Sequence, residues 1–249
     1  MKRGALVLVT LASLAGGCSL MAEEPPEAAP RVTVPELVDV AADVPEAERV
    51  RLPRLARDSA ERRARRLTVR VRNLTCEGVV TGSGFALADD LLVTNRHVLA
   101  GAEELEVSTW DGKAVQVASA RVGALGDVGL VSVEESLPLS GELGRPPEAG
   151  DLVTVVGYPR GGPLTLSEGA VVDRIDGAAL GIPGSVLRLS AHVEPGNSGG
   201  PVLNGRGQIA GIVYARQRGT GFGLAIPVDT FRRLARVGGY EDVPPCGAD

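Results

Sequence analysis

Ser198 stands in Glu194-Pro195-Gly196-Asn197-Ser198-Gly199-Gly200-Pro201, a serine between glycines. Glycines allow a tight turn, let a substrate approach the backbone, and aim N–H groups at one point. That pattern suits a nucleophile with oxyanion donors beside it. A serine needs a base, and the chain has only two histidines, His97 and His192, both before Ser198. The segment also fits G-x-S-x-G, but the α/β-hydrolase elbow needs its histidine after the serine, so that order is excluded. His97 lies in Leu92-Val93-Thr94-Asn95-Arg96-His97-Val98, a strand running into a short turn. Asp127, in Gly126-Asp127-Val128-Gly129-Leu130-Val131, is the candidate orienting acid. Asp111, in the turn-like Trp110-Asp111-Gly112, is the fallback. A His–Asp–Ser set of this kind serves acyl transfer. Two histidines and three cysteines leave little for a structural zinc site, which usually takes four such ligands; no metal and no cofactor is expected.

These residues need a rigid frame. From Leu67 onward short β-leaning runs follow one another, broken by Gly, Asp or Asn. Thr68-Val69-Arg70-Val71-Arg72 alternates with the period of a half-buried strand. Further runs include Val79–Leu87, Leu91–Thr94, Val128–Val133, Leu152–Gly157, Val186–Val193 and Gln208–Tyr214. About a dozen such strands, with no long helices between them, predict an all-β sandwich or barrel. Two sets of about six strands would make two small barrels. One helix is predicted at Val228–Val237, ended by Gly238-Gly239. The 33 glycines fit many turns, and with 3% aromatics the core must be Val, Leu, Ile and Ala. A net charge of −5 argues against a general nucleic-acid binder.

The N-terminal part has a different texture. Lys2 and Arg3 precede the uncharged apolar run Gly4–Gly17, which is too short for a bilayer needing about 20 residues. Residues 1–18 read as a signal peptide. Leu14-Ala15-Gly16-Gly17-Cys18 resembles a bacterial lipoprotein signal, which implies lipidation at Cys18 and a membrane anchor; the aliphatic residue sits one place early. Residues 19–53 carry six prolines and eight acidic residues against three arginines, the composition of an extended tether. Residues 54–66 turn basic with weak helical patterning. The reading is a solvated helix packed by its alanines, with attraction to anionic lipid as the other possibility.

Gly82-Ser83-Gly84-Phe85, Thr94-Asn95-Arg96-His97-Val98, Asp127-Val128-Gly129-Leu130 and Gly196–Pro201 occur in one order. Together they resemble the trypsin-like serine proteases, the HtrA protease domain and the mycobacterial acid-resistance periplasmic protease among them, over about residues 68–240. The resemblance implies an all-β chymotrypsin fold of two six-stranded antiparallel barrels with a C-terminal helix, spanning 67–249. It implies a secreted serine endopeptidase with a polypeptide substrate: Ser198 as nucleophile, His97 as base, Asp127 as orienter, and the N–H groups of Gly196 and Ser198 as oxyanion hole. The alternatives are a silent pseudoprotease serving as an envelope binding module, and an esterase. Asn197 replaces the aspartate with which the digestive enzymes hold a newly cut N-terminus, so activation by N-terminal insertion is not expected. His192 falls where those enzymes place the base of the specificity pocket, and two readings stay open: a pocket residue favouring polar or acidic side chains at low pH, or a strand histidine facing solvent or hydrogen-bonded in the barrel. Tyr214, Ala215 and Arg216 match the substrate-pairing strand, and Phe222 and Leu224 a pocket wall. Cys76 and Cys246 are implied to form a disulfide, as in the acid-resistance protease. No PDZ domain is expected after the last helix. The implied location is the periplasm or extracytoplasmic face of the envelope.

Overall fold

The computed structural model describes residues 54–247; the signal at 1–18, Cys18 and the tether at 19–53 lie outside the described residues. Helix α1 (Arg54–Leu67) is rich in Arg, Ala and Leu, all good helix formers. It buries Ala64 and Leu67 and leaves Arg62, Arg63 and Arg66 exposed. Thr68 Oγ1 donates to the Ala64 carbonyl at 2.8 Å, where the helix gives way to strand.

The first sheet follows from alternation. Strand β1 (Thr68–Thr75) buries Val69 and Val71 and pairs antiparallel with β2 (Gly78–Ala88), from Thr68↔Phe85 to Thr75↔Gly78. Next come β3 (Leu91–Thr94), the one-turn helix α2 (Arg96–Leu99), β4 (Glu104–Ser108), β5 (Ala114–Val115), β6 (Val117–Gly123) and β7 (Gly129–Val133). The second half holds β8 (Leu152–Gly157), β9 (Thr165–Asp176), β10 (Ser185–Leu189), β11 (Pro201–Asn204), β12 (Ile209–Arg216) and β13 (Gly223–Pro227). Helix α3 (Val228–Val237) and β14 (Tyr240–Asp242) follow.

The all-β class, the C-terminal helix and one six-stranded barrel are as the sequence implies. That barrel is closed, in the order β10-β13-β12-β11-β8-β9. The first unit differs: it is an eight-stranded sheet, β14-β6-β7-β3-β2-β1-β4-β5. Its curl is completed by chain rather than by a ladder. Strand β5 pairs with β4 and, one residue later, β6 pairs with β7, so Gln116 makes the corner. The other edge of β6 is taken by β14, through Tyr240↔Gly123 to Asp242↔Arg121. A three-residue strand carries too little periodicity to be seen in the sequence.

Aliphatic side chains fill both units. Val153, Val155, Leu187, Leu189, Val202 and Val213 form a cluster inside the closed barrel, and Phe231 and Leu234 of α3 join the other cluster. Each such side chain contributes about 1.5–3 kcal/mol on burial. Cys76, in the β1–β2 turn, meets Cys246 of the C-terminal tail, their Cα atoms 6.0 Å apart.

Candidate active site

Asn95 leaves β3 in extended conformation and caps α2, whose second residue is His97. Asn95 Nδ2 donates to the Asp127 carbonyl at 2.8 Å, tying this helix to the turn before β7. Gly129 must be small: a Cβ there would lie 2.6 Å from Leu99 Cδ1 and 3.0 Å from the Asn95 carbonyl. The two elements are thereby pressed together, and Asp127 grips His97 twice. Its Oδ1 accepts the His97 backbone N–H at 2.8 Å, and its Oδ2 lies 2.6 Å from His97 Nδ1. The carboxylate is 13% exposed and the imidazole 47% exposed, so the acid is sheltered while the imidazole reaches the cleft. A carboxylate on Nδ1 fixes the tautomer that presents Nε2 as acceptor. Asp111 lies elsewhere, hydrogen-bonded to Thr109 in its hairpin.

Ser198 lines the same cleft, a cavity of about 580 Å³ that His97 and Asp127 also line. Its Oγ donates to the Tyr214 carbonyl at 3.3 Å. A register shift between Val213 and Ala215 turns that carbonyl toward it, the effect of a bulge on the β12–β13 ladder. The Tyr214 ring meets the His97 ring edge-on at 6.3 Å, and its phenol donates to the Leu180 carbonyl at 2.9 Å. Burial, with the charge of Asp127 adding to it, holds that phenol above its ordinary pKa and therefore neutral.

The turn carrying Ser198 is fixed peptide by peptide. The Pro195 carbonyl accepts from Arg160 N–H at 2.6 Å, Asn197 N–H donates to the Glu194 carbonyl at 3.0 Å, and the Asn197 carbonyl accepts from Gly200 N–H at 2.9 Å. Ser83, on β2, supplies two more bonds: Oγ donates to the Gly196 carbonyl at 2.7 Å, and N–H donates to the Ser198 carbonyl at 2.8 Å. Among the described residues, no backbone carbonyl accepts from the N–H of Gly196 or of Ser198. In a trans peptide the N–H points opposite to the carbonyl. The bonds on the Pro195 and Asn197 carbonyls therefore set the directions of these two N–H groups. Gly196 takes φ +97, and a Cβ there would meet the Tyr158 carbonyl at 2.4 Å. Asn197 is buried, and its Oδ1 is without a partner among the described residues. An ionised aspartate there would be a buried, unpaired charge.

Tyr214, Ala215 and Arg216 line the cleft. His192 and Phe222, read from the sequence as pocket residues, do not. Strand β10 ends at Leu189, short of the Val193 expected, and the chain then turns so that Val193 and Glu194 face the cleft. The His192 side chain is 67% exposed, with Nε2 3.5 Å from Glu194 Oε1. Phe222 stacks under the Arg188 guanidinium, 5.3 Å from its ring centre. The sequence reading assigned no task to Ser83 or Arg160. For Ser83 the signal was its place inside Gly82-Ser83-Gly84; for Arg160 there was none.

A family model described as the trypsin-like peptidase domain matches residues 82–212. The serine protease Rv3671c of Mycobacterium tuberculosis is 31% identical over 188 residues, 70% of this chain and 47% of that protein. The protease Do-like 2, chloroplastic, of Arabidopsis thaliana is 35% identical over 182 residues, 67% of this chain and 30% of its own. The crystal structure of the active form of the Rv3671c protease aligns with a TM-score of 0.66 at 25% identity, covering 79% of this chain and 90% of that one. The chain thus spans less than half the length of these curated relatives.

Proposed function

Because the chain belongs to the trypsin-like peptidase domain family, we propose that it is a serine endopeptidase acting through His97, Asp127 and Ser198. The observation that carries this reading is the double contact of Asp127 on His97, with Ser198 in the same cleft. The Ser198 hydroxyl rests on the Tyr214 carbonyl through a long, weak bond. Rotation about its χ1 hands the proton to His97 Nε2 as Oγ attacks a peptide carbonyl. The tetrahedral oxyanion is received by the N–H groups of Gly196 and Ser198. His97 then protonates the leaving amine, an acyl-enzyme forms on Ser198, and water repeats the sequence to release it. Asp127 orients the imidazole and stabilises its cationic form.

The substrate binds as an added strand. Strand β11 pairs with β12 only as far as Ile212, while β13 covers the other edge at Ala215 and Arg216. Gly199 and Gly200 take both backbone groups of Val213 on the first edge, so the backbone groups offered to an extended peptide lie beyond it, at Tyr214 to Arg216. We read the protein as exported, with residues 1–18 as its signal, lipid on Cys18, and the domain on the extracytoplasmic face of the envelope. An oxidising compartment fits a disulfide between Cys76 and Cys246.

Fluorophosphonate labelling of wild type and Ser198→Ala tests the activity. Labelling of the wild type alone, with cleavage of a denatured protein substrate, is the expected result. Absence of Ser198-dependent label across pH 5–9 would leave the pseudoprotease reading in its place.

A further inference from the structure

Arg160 is, among the described residues, the one non-glycine residue with positive φ (φ 55, ψ 24). An L-residue with a side chain adopts that left-handed conformation at a cost, so something nearby holds it. The turn around it is rigid. Pro159 precedes it, Gly161 follows at φ 70, and Gly161 and Gly162 N–H close back on the Tyr158 and Pro159 carbonyls at 2.9 Å. The turn is pressed against the nucleophile loop: a Cβ on Gly196 would lie 2.6 Å from Arg160 N and 3.1 Å from Gly161 N. Two bonds join Arg160 itself to that loop. Its N–H donates to the Pro195 carbonyl at 2.6 Å, and its guanidinium pairs with Glu194 Oε1 at 3.0 Å.

We propose that Arg160 is a positioning residue for the first oxyanion donor. Its left-handed backbone aims an N–H at the Pro195 carbonyl, and its ion pair with Glu194 holds that strained conformation. The assignment rests on the serine-peptidase reading of the site. Pro195 C=O and Gly196 N–H belong to one planar peptide, so anchoring the carbonyl on Arg160 fixes the donor's direction. The angle φ sets how the chain leaves the peptide plane that carries the Arg160 N–H. A right-handed residue there would swing that N–H off Pro195 or drive Gly161 into Gly196. Tyr158 N–H, at the start of the same turn, is held by Ser83 Oγ at 2.9 Å, so the anchor is braced from β2.

The test compares wild type, Arg160→Gly, Arg160→Val and Glu194→Gln on a peptide ester and its thionoester analogue, after circular dichroism has confirmed folding. Sulfur is a larger and weaker acceptor than oxygen, so an intact oxyanion hole favours the oxygen ester. The ratio of the two rates reports the hole rather than general stability. Arg160→Val is expected to lower kcat about tenfold, with KM within twofold and the oxygen-to-sulfur ratio falling in parallel, because a β-branched residue resists positive φ. Arg160→Gly adopts the turn freely and is expected to stay at least about fivefold more active than Arg160→Val. Glu194→Gln is expected to lose about two- to fivefold, the worth of a largely exposed ion pair. Equal losses in the Gly and Val variants, or an Arg160→Val enzyme with wild-type kcat or an unchanged ratio, overturn the assignment. If the Val variant does not fold, Arg160→Ala takes its place under the same criteria. A wild type without Ser198-dependent turnover overturns the peptidase reading itself, and this assignment falls with it.

Discussion

Replacing Ser83 with alanine removes one oxygen atom, and the structure sets what that atom is worth. Ser83 is fully buried; its Oγ accepts from Tyr158 N–H at 2.9 Å and donates to the Gly196 carbonyl at 2.7 Å. Tyr158 and Gly196 are themselves buried, so both groups would be stranded. A buried polar group left unpaired costs about 1–3 kcal/mol. Two of them, partly relieved by relaxation, give about 3 kcal/mol. For a domain of this size each kcal/mol moves Tm by about 2–4 °C, so the midpoint should fall by roughly 6–12 °C. Activity should fall further than stability explains. Deleting one oxyanion donor outright costs about 10²–10³ in kcat. Loosening the peptide next to that donor should cost about tenfold, with KM nearly unchanged. Thermal unfolding followed by circular dichroism and steady-state ester hydrolysis at 20 °C measure both. A Tm within 2 °C of wild type, together with kcat within twofold, would refute the argument that Ser83 holds the loop.

Two further outcomes follow from where the charges lie. His192→Ala should leave the cleavage-site profile unchanged at both pH 5 and pH 8, because the side chain stands outside the cleft; a changed preference at either pH would contradict that placement. Asp173 is held below its ordinary pKa by hydrogen bonds from Arg188 on the neighbouring strand. The native carboxylate is thus favoured charged, and its contribution is present above the unfolded value near 3.8 and lost as pH falls through the lowered native value. Asp173 is more than a third exposed, so its pair counts as a surface one, worth less than about 1 kcal/mol. Asp173→Asn should therefore lower Tm by no more than about 4 °C at pH 7. The gap should narrow only below about pH 4; a gap that persists undiminished at pH 2 would show that Arg188 is not its source.

The sequence carries side-chain chemistry and periodicity, and where those decide the structure it was readable. Val69 and Val71 alternate with polar neighbours and lie in a strand. Val228, Phe231 and Leu234 share a helical face, and α3 has the bounds that pattern implies. His97, Asp127 and Ser198 stand out because such residue types in that order have few other uses. The missed features belong to groups that every residue possesses. Strand β14 is held to β6 by backbone pairing and by the Arg121 guanidinium donating to the Tyr240 carbonyl, through three residues with no apolar alternation. The pocket reading of His192 rests on its spacing from Ser198, and a spacing does not record that β10 stops at Leu189 and the chain turns.

Arg160 is the sharpest instance. Its side chain is 77% exposed, and by residue type it is one more surface arginine. The role proposed for it rests on a main-chain N–H and a dihedral angle as well as on the ion pair, and the first two are not written in the identity of residue 160. Glycine is the usual solution wherever φ is positive, and this turn has glycines at 161 and 162. An arginine in the preceding position makes sense only if its side chain returns something glycine lacks. Among the described residues Glu194 is the one carboxylate paired with it, and Glu194 begins the segment that carries both proposed oxyanion donors. The strain and the ion pair are therefore two halves of one device. A glycine would hold the same turn with less strain, but it would give up the tie between that turn and the nucleophile loop.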